Sequence, residues 1–296
     1  ARMHETGFLP LRQSRMLGGT ADDARSTLEG WMTEAEDPEL DFDVAGLFVP
    51  RIDYPAAEEV YAGTYAAIAG ASIDRVLLIG TNQFGFGDGV VGTSLGAQSP
   101  LGKLEADTDF LADLNGRLDG DLFRDELDHV ASPDVEMQVP WLQMMIGSPR
   151  IAAVLVPDPL SQAPLEDGQI ATDAFVEAAR GALAEAPGRS LVIASGDLSH
   201  IGPQFGEPRP IDEQRQSEAE RSDRDLLATF AEGDPDRFLS AVKWNANANR
   251  WSGVGTMLAL LEILRPTQVE LIDYHHHALD QAGSGVVASA GLALGT

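Results

Sequence analysis

What most restricts the fold of this chain is a set of short, unbroken apolar runs: Ala45-Gly46-Leu47-Phe48-Val49, Val76-Leu77-Leu78-Ile79 after Arg75, Ile151 to Val156, and Leu191-Val192-Ile193-Ala194 after Ser190. None alternates with polar residues, and each stops at a proline, a glycine or a serine. A strand with one wet face alternates in character. Unbroken runs of this length belong to strands covered on both faces, the habit of parallel sheets with helices above and below.

The intervals between the runs carry helical signals. Residues 19–33 read as a helix, because Thr20 can cap it, Asp22 and Asp23 fall in its first turn, and Leu28, Trp31 and Met32 share a face. The acidic stretch Glu34 to Asp43 reads as a loop. Further helices are expected over Val60 to Ile68, Asp212 to Phe230 and Gly253 to Leu264, with late strands over Val269 to Tyr274 and Gly285 to Leu292. Strands alternating with helices predict an α/β sandwich with a mainly parallel central sheet flanked by helices. Nothing in the composition divides the chain, and no repeat is visible, so one domain over residues 1–296 is expected.

Charge narrows the partners. Forty-seven acidic residues against 20 basic ones give a formal charge of -27, and Lys103 and Lys243 are the only lysines. A nucleic-acid backbone or an anionic membrane would be repelled, leaving a small molecule or a protein as the expected partner. With no cysteine, disulfides, thiolate ligands and cysteine nucleophiles are excluded. That absence fits a reducing compartment, and no apolar segment approaches the roughly 20 residues needed to cross a bilayer. The opening Ala1-Arg2-Met3-His4 does not read as a secretory signal, so a cytoplasmic location is expected.

The stretch Ser195-Gly196-Asp197-Leu198-Ser199-His200 follows one apolar run and precedes Gly202-Pro203. It brings an Asp and a His to the carboxyl end of a strand, where ligands bind in open α/β sheets and an acid or base is useful. Three more polar clusters follow apolar strands: Arg51-Ile52-Asp53-Tyr54, Asn82-Gln83, and Tyr274-His275-His276-His277. In a parallel sheet these four would gather at one rim. Neighbouring strand residues face opposite ways, so His275 and His277 could share a face that His276 could not join. His277 with His200 and Asp197 is then one candidate metal or proton-relay set. The glycines around residues 85–89 lack a following Lys-Ser/Thr pair, and Gly196 precedes an Asp, so neither a P-loop nor a serine-hydrolase elbow is present.

With these residues in view, the chain resembles the Memo family, also called AmmeMemoRadiSam system protein B, whose fold is related to the class III extradiol (LigB-type) dioxygenases. The resemblance runs almost end to end. It is carried by Leu28-Glu29-Gly30-Trp31, Val49-Pro50-Arg51-Ile52-Asp53-Tyr54, Ser99-Pro100-Leu101-Gly102, Val135-Glu136-Met137-Gln138, Gly196 to His200, Gly202-Pro203-Gln204-Phe205-Gly206 and Gly283-Ser284-Gly285-Val286-Val287. It implies a class III extradiol dioxygenase-like fold. In those enzymes two early histidines and a late carboxylate hold iron(II), and the residue matching His200 moves a proton. Here Arg51 and Gln83 stand where the family has histidines, Ser132-Pro133-Asp134 replaces Glu-His-Ser, and Asn249 takes the place of a cysteine.

A guanidinium removes a ligand and adds a fixed positive charge, while amide oxygens are poor partners for iron. The expectation is therefore no cofactor and no family metal. Two functions follow: a pseudoenzyme scaffold that binds a small molecule or a partner, or a metal-free enzyme in which Arg51 clamps a carboxylate or oxyanion and His200 is the acid or base. Asp53 and Asp197 join that catalytic set, with Asn82, Gln83, Asn249, Glu136 and His277 as substrate-binding candidates. A non-haem metal enzyme using His200, His277 and Asp197 is a further alternative, and an assembly role for the acidic surface a last one.

Overall fold

A computed structural model describes residues 5–12, 14–83, 89–160, 164–280 and 282–296. The glycine-rich stretch at 84–88 and the opening tetrapeptide lie outside the described residues. In chain order the elements are α1 (Ala21–Glu34), β1 (Val44–Val49), α2 (Tyr54–Ala66), β2 (Arg75–Thr81), β3 (Val91–Thr93), β4 (Ala97–Ser99), β5 (Gly102–Leu104), α3 (Thr108–Gly116), α4 (Asp134–Ile146), β6 (Arg150–Val156), α5 (Thr172–Glu185), β7 (Ser190–Ser195), β8 (His200–Ile201), α6 (Glu213–Ala231), α7 (Pro235–Trp244), α8 (Val254–Leu264), β9 (Gln268–Ala278) and β10 (Val286–Gly295).

Among the described residues the strands form one eight-stranded sheet, in the order β3-β6-β2-β7-β1-β10-β8 with β9 on β10, and a separate β4-β5 pair. Its centre, β6-β2-β7-β1, is parallel. The apolar runs supply these four strands, and every residue of β2 is buried. The outer strands run antiparallel: β3 on β6, then β10 on β1, β8 and β9. A mainly parallel centre is thus present, with antiparallel margins that the two late strands of the sequence did not announce.

Helices cover both faces. One core layer joins Phe48, Leu77, Val154 and Phe175 to Leu227, Phe230 and the apolar α8. The other joins Leu47, Leu78 and Ile193 to Leu28 of α1, to α2 and to Trp141 of α4. Trp141 lies parallel to both Tyr61 and Tyr65, with ring centroids 5.7 and 5.6 Å away. Thr20 caps α1 through a reciprocal pair with Asp23, as the sequence signal required. Helix α2 begins six residues before the expected Val60, because Pro55 in its first turn fixes a helical φ.

Strand β9 is longer than expected and runs through Tyr274 to His277, so the histidines lie within a strand rather than beyond its end. It carries a bulge at Ile272, where Gly291 and Leu292 face Asp273 and Leu271. Among the described residues β9 pairs with β10 alone, which makes it an edge strand. Beside it runs a groove of about 610 Å³ bordered by Trp31, Glu58, Glu59, Glu270 and Asp273. No helix among the described residues is long and apolar enough to cross a membrane.

Candidate functional site

Parallel register assembles the rim. Val49 pairs with Ser195, so Arg51 and Asp197, each two residues further on, emerge side by side. Strand β2 flanks β7 on the other side and brings Gln83 to the same rim. The Asp197 carboxylate accepts the backbone N–H of Arg51 at 3.0 Å and of Ile52 at 3.1 Å, fixing the turn out of β1. Its second oxygen lies 3.6 Å from the Arg51 guanidinium.

Arg51 reaches further across the sheet. Its Nη1 donates to Asp134 at 3.3 Å and its Nη2 to the Gln83 side chain. Asp134 opens α4, where a carboxylate is favoured by the helix dipole, and it also accepts Thr81 N–H at 3.2 Å. Gly80 makes this possible: a Cβ there would sit 2.5 Å from Cβ of Asp134. Only glycine lets the helix start press so closely on β2. Behind the turn, the buried Gln138 donates to Pro50 carbonyl at 2.8 Å and to Ser195 Oγ at 3.0 Å, and accepts Tyr65 O–H at 2.9 Å.

Electrostatics follow from this sharing. Burial disfavours the Arg51 cation, but Asp134 and Asp197 outweigh it and hold the guanidinium above its ordinary pKa. For Asp197 burial prevails and pushes the carboxyl above its usual range, against Arg51, His200 and two backbone N–H groups. The asymmetry is physical: Arg51 has two carboxylates, whereas Asp197 shares one guanidinium with Asp134.

His200 is half-buried in β8. Its backbone N–H donates to Asn249 carbonyl at 2.7 Å, and its Nδ1 lies 2.8 Å from Leu198 carbonyl and 3.1 Å from Arg250 carbonyl. Carbonyls only accept, so Nδ1 carries the proton and Nε2 holds the lone pair of the neutral ring. The ring edge packs on Phe205 at 5.1 Å.

The structure thus joins Arg51, Asp197 and Gln83, and His200 follows Asp197 by three residues beyond the same strand end. Other expected site residues turn elsewhere. Asp53, expected in the catalytic set, is exposed ahead of α2, and Arg51 pairs with Asp134 and Asp197. Asn82 donates to Asp128 at 3.0 Å. Glu136, two helical positions from Asp134 and so on the far side of α4, accepts Arg12 N–H at 2.6 Å and both Ser14 N–H and Ser14 O–H at 2.9 Å. The Asn249 side chain accepts Arg215 at 2.9 Å and faces α6.

His277 and His200 are both register partners of Val287, on opposite sides of β10, so a strand lies between them. Two strand spacings put their backbones about 10 Å apart. His277 bonds Ser289 at 2.6 Å, and burial, with His275 and His276 beyond, lowers its pKa to about 4. His275 shares its face, with ring centroids 6.2 Å apart, while His276 turns to the other face and meets Asp223. Among the described residues no group of three or more His, Asp or Glu could hold a metal ion. Two residues escaped the sequence reading. Asp134 is placed only by the start of α4, while Asp223 had a readable signal: a carboxylate inside the apolar stripe Ala219, Leu226, Leu227, Phe230.

The family model described as Memo-like protein matches residues 19–293. A MEMO1 family protein from Aquifex aeolicus is 26% identical over 242 residues, covering 80% of this chain and 61% of that protein. One from Thermus thermophilus is 26% identical over 246 residues, 81% of this chain and 70% of the relative. One from Methanococcoides burtonii is 29% identical over 237 residues, 78% and 79% respectively. The match thus spans about three fifths of the Aquifex protein.

Proposed function

The chain belongs to the Memo family, and from that premise we propose that it is a member whose metal centre has given way to an internal ion pair, leaving a scaffold that binds a small molecule or a partner protein. One observation carries this reading. The Arg51 guanidinium lies against Asp134 and Asp197 and bonds Gln83, in the place the family resemblance gives to metal-holding histidines. A divalent ion about 4 Å from that guanidinium would meet a repulsion on the order of 8 kcal/mol at an effective dielectric of about 20. The carboxylates that could offset it, Asp134 and Asp197, are already held by Arg51. Gln83 offers an amide oxygen that Arg51 already uses, and the Asn249 amide oxygen is taken by Arg215. These residues do not fit iron(II).

In this proposal the frame is that of the class III extradiol enzymes without their ion. The -27 charge argues against nucleic acid as the ligand, and the cysteine-free composition supports a cytoplasmic setting. The deciding experiment is elemental analysis of untagged protein after equilibration with iron(II), copper(II) and zinc(II). Substoichiometric metal is expected. One equivalent that disappears in His200→Ala or Asp197→Asn would sink the proposal.

His200 favours a second reading, a metal-free enzyme. With Nδ1–H held by two carbonyls, its Nε2 is set as a base. A ligand-observed NMR screen of small carboxylates and phenols separates the readings. Hits consumed over time by the native protein, and only bound by His200→Ala, favour the enzyme; hits bound unchanged by the native protein favour the scaffold.

A further inference from the structure

Helix α6 presents Arg215, Ala219 and Asp223 at successive four-residue intervals, and so on one face. All three touch the loop after α7. Arg215 donates to Asn249 at 2.9 Å, and the Asn249 amide lies 3.4 Å from both Ala219 carbonyl and Asp223 Oδ1. Asp223 is fully buried and gathers more donors than any pairing with Asn249 requires. Its Oδ1 also accepts Trp251 Nε1–H at 2.7 Å and Ser199 O–H. Its Oδ2 accepts Tyr274 O–H at 2.9 Å and lies 3.4 Å from His276 Nε2. The single phenol proton goes to Asp223, so the His276 Nε2–H donates to the Tyr274 oxygen, 2.6 Å away. Burial and the Asp223 carboxylate push the Tyr274 phenol well above its ordinary pKa, which keeps that proton in place.

The donors on Oδ1 are not scattered. His200 is fixed by the carbonyls of Leu198, Asn249 and Arg250. Ser199 follows Leu198, Asn249 is itself a partner, and Trp251 follows Arg250. Each backbone group that holds His200 therefore belongs to, or adjoins, a residue whose side chain is bonded to Asp223. We infer that Asp223 is the positioning residue of His200: one buried carboxylate ties the β7–β8 turn to the loop before α8 and thereby sets the imidazole with Nδ1–H inward. The opposite oxygen, bonded to β9, anchors the carboxylate without touching the His200 loops. The inference rests on the proposed function only in taking His200 to be the group that meets a ligand.

The test is the ring ¹⁵N pattern of His200 at neutral pH, assigned by its loss in His200→Ala. The native protein is expected to show one tautomer, protonated at Nδ1. Asp223→Ala is expected to lose that pattern and show averaged nitrogens, while Tyr274→Phe, which removes a donor from the other oxygen, keeps it. If Asp223→Ala does not fold, Trp251→Phe is read in its place, with the same expected loss. A native pattern surviving in Asp223→Ala, or in Trp251→Phe where that variant stands in, overturns the inference. So does a pattern lost equally in Tyr274→Phe, which would mean general loosening. A stoichiometric metal in the cleft would end the proposed scaffold function and leave this measurement readable on the metal-stripped protein.

Discussion

The Arg51 guanidinium donates to Asp134 at 3.3 Å, joining the end of β1 to the start of α4, which packs on β2, across the one strand, β7, that lies between β1 and β2. Both side chains are nearly out of water, at 10% and 0% exposure. Breaking a buried pair from one side costs far more than the pair contributes, because the remaining charge has no partner.

Arg51→Met is therefore expected to destabilise the fold by about 3–5 kcal/mol at pH 7, read by urea unfolding. Adding Asp134→Asn removes the stranded carboxylate and should return part of that loss, a coupling of about 1–3 kcal/mol in the double-mutant cycle. Strictly additive losses would contradict the pairing.

Gly80→Ala tests the packing that permits the pair. Its new Cβ would meet Asp134 Cβ at 2.5 Å and a Leu155 methyl at 2.8 Å. Overpacking of this kind costs about 1–3 kcal/mol, and the displaced Asp134 should also reduce the Arg51 coupling measured in the same cycle. An unchanged coupling would show that the helix start can move without consequence.

Gln138→Leu keeps bulk but removes the donor to Pro50 carbonyl and Ser195 Oγ and the acceptor of Tyr65 O–H, leaving Pro50 only a long 3.5 Å bond from Ser195 O–H. A loss of about 3 kcal/mol is expected in thermal or urea unfolding, given the cost of unsatisfied buried polar groups. A loss below about 0.5 kcal/mol would mean that the three groups find other partners.

Acid should weaken the fold through two histidines. Burial lowers His129 to about 4, and burial with its histidine neighbours lowers His277 to about 4. Their folded values lie below the ordinary 6.5, so the unfolded chain takes up protons first as pH falls. Stability is then complete above about pH 6.5 and declines toward pH 4. His129 alone accounts for about 3 kcal/mol of this, and the more exposed His277 for less. Asp197 acts in the opposite sense, since its raised value makes its ionisation, not its protonation, the unfavourable event. Unfolding free energies of His129→Gln between pH 4 and 6.5 should show a visibly flatter slope than the native protein.

The sequence made the central strands readable because a strand buried on both faces needs a continuous apolar run, and Val76 to Ile79 can be little else. It also made Asp197 and His200 readable, since both follow such a run directly. What it could not convey was orientation on helices and loops. Glu136 and Asn249 have the chemistry of site residues, yet one turn of α4 and the face of α6 direct them to Ser14 and Arg215. Asp134 reads as an ordinary helix-start residue until Gly80 brings that start against β2. The histidine run was deceptive for another reason: β9 continues through it, so alternation distributes its imidazoles over two faces.

Strand β9 has a consequence for how copies of this protein meet one another. A sheet that ends in an exposed strand is a template on which any other strand can continue. Here the strand carries Glu270 and Asp273, faces Glu58 and Glu59 across the groove, and belongs to a molecule of charge -27. A second copy approaching that border brings the same sign with it, so pairing along β9 is opposed by like charges. The opposition to pairing at this edge is electrostatic, and it thins as ionic strength rises and as carboxylates are protonated in acid.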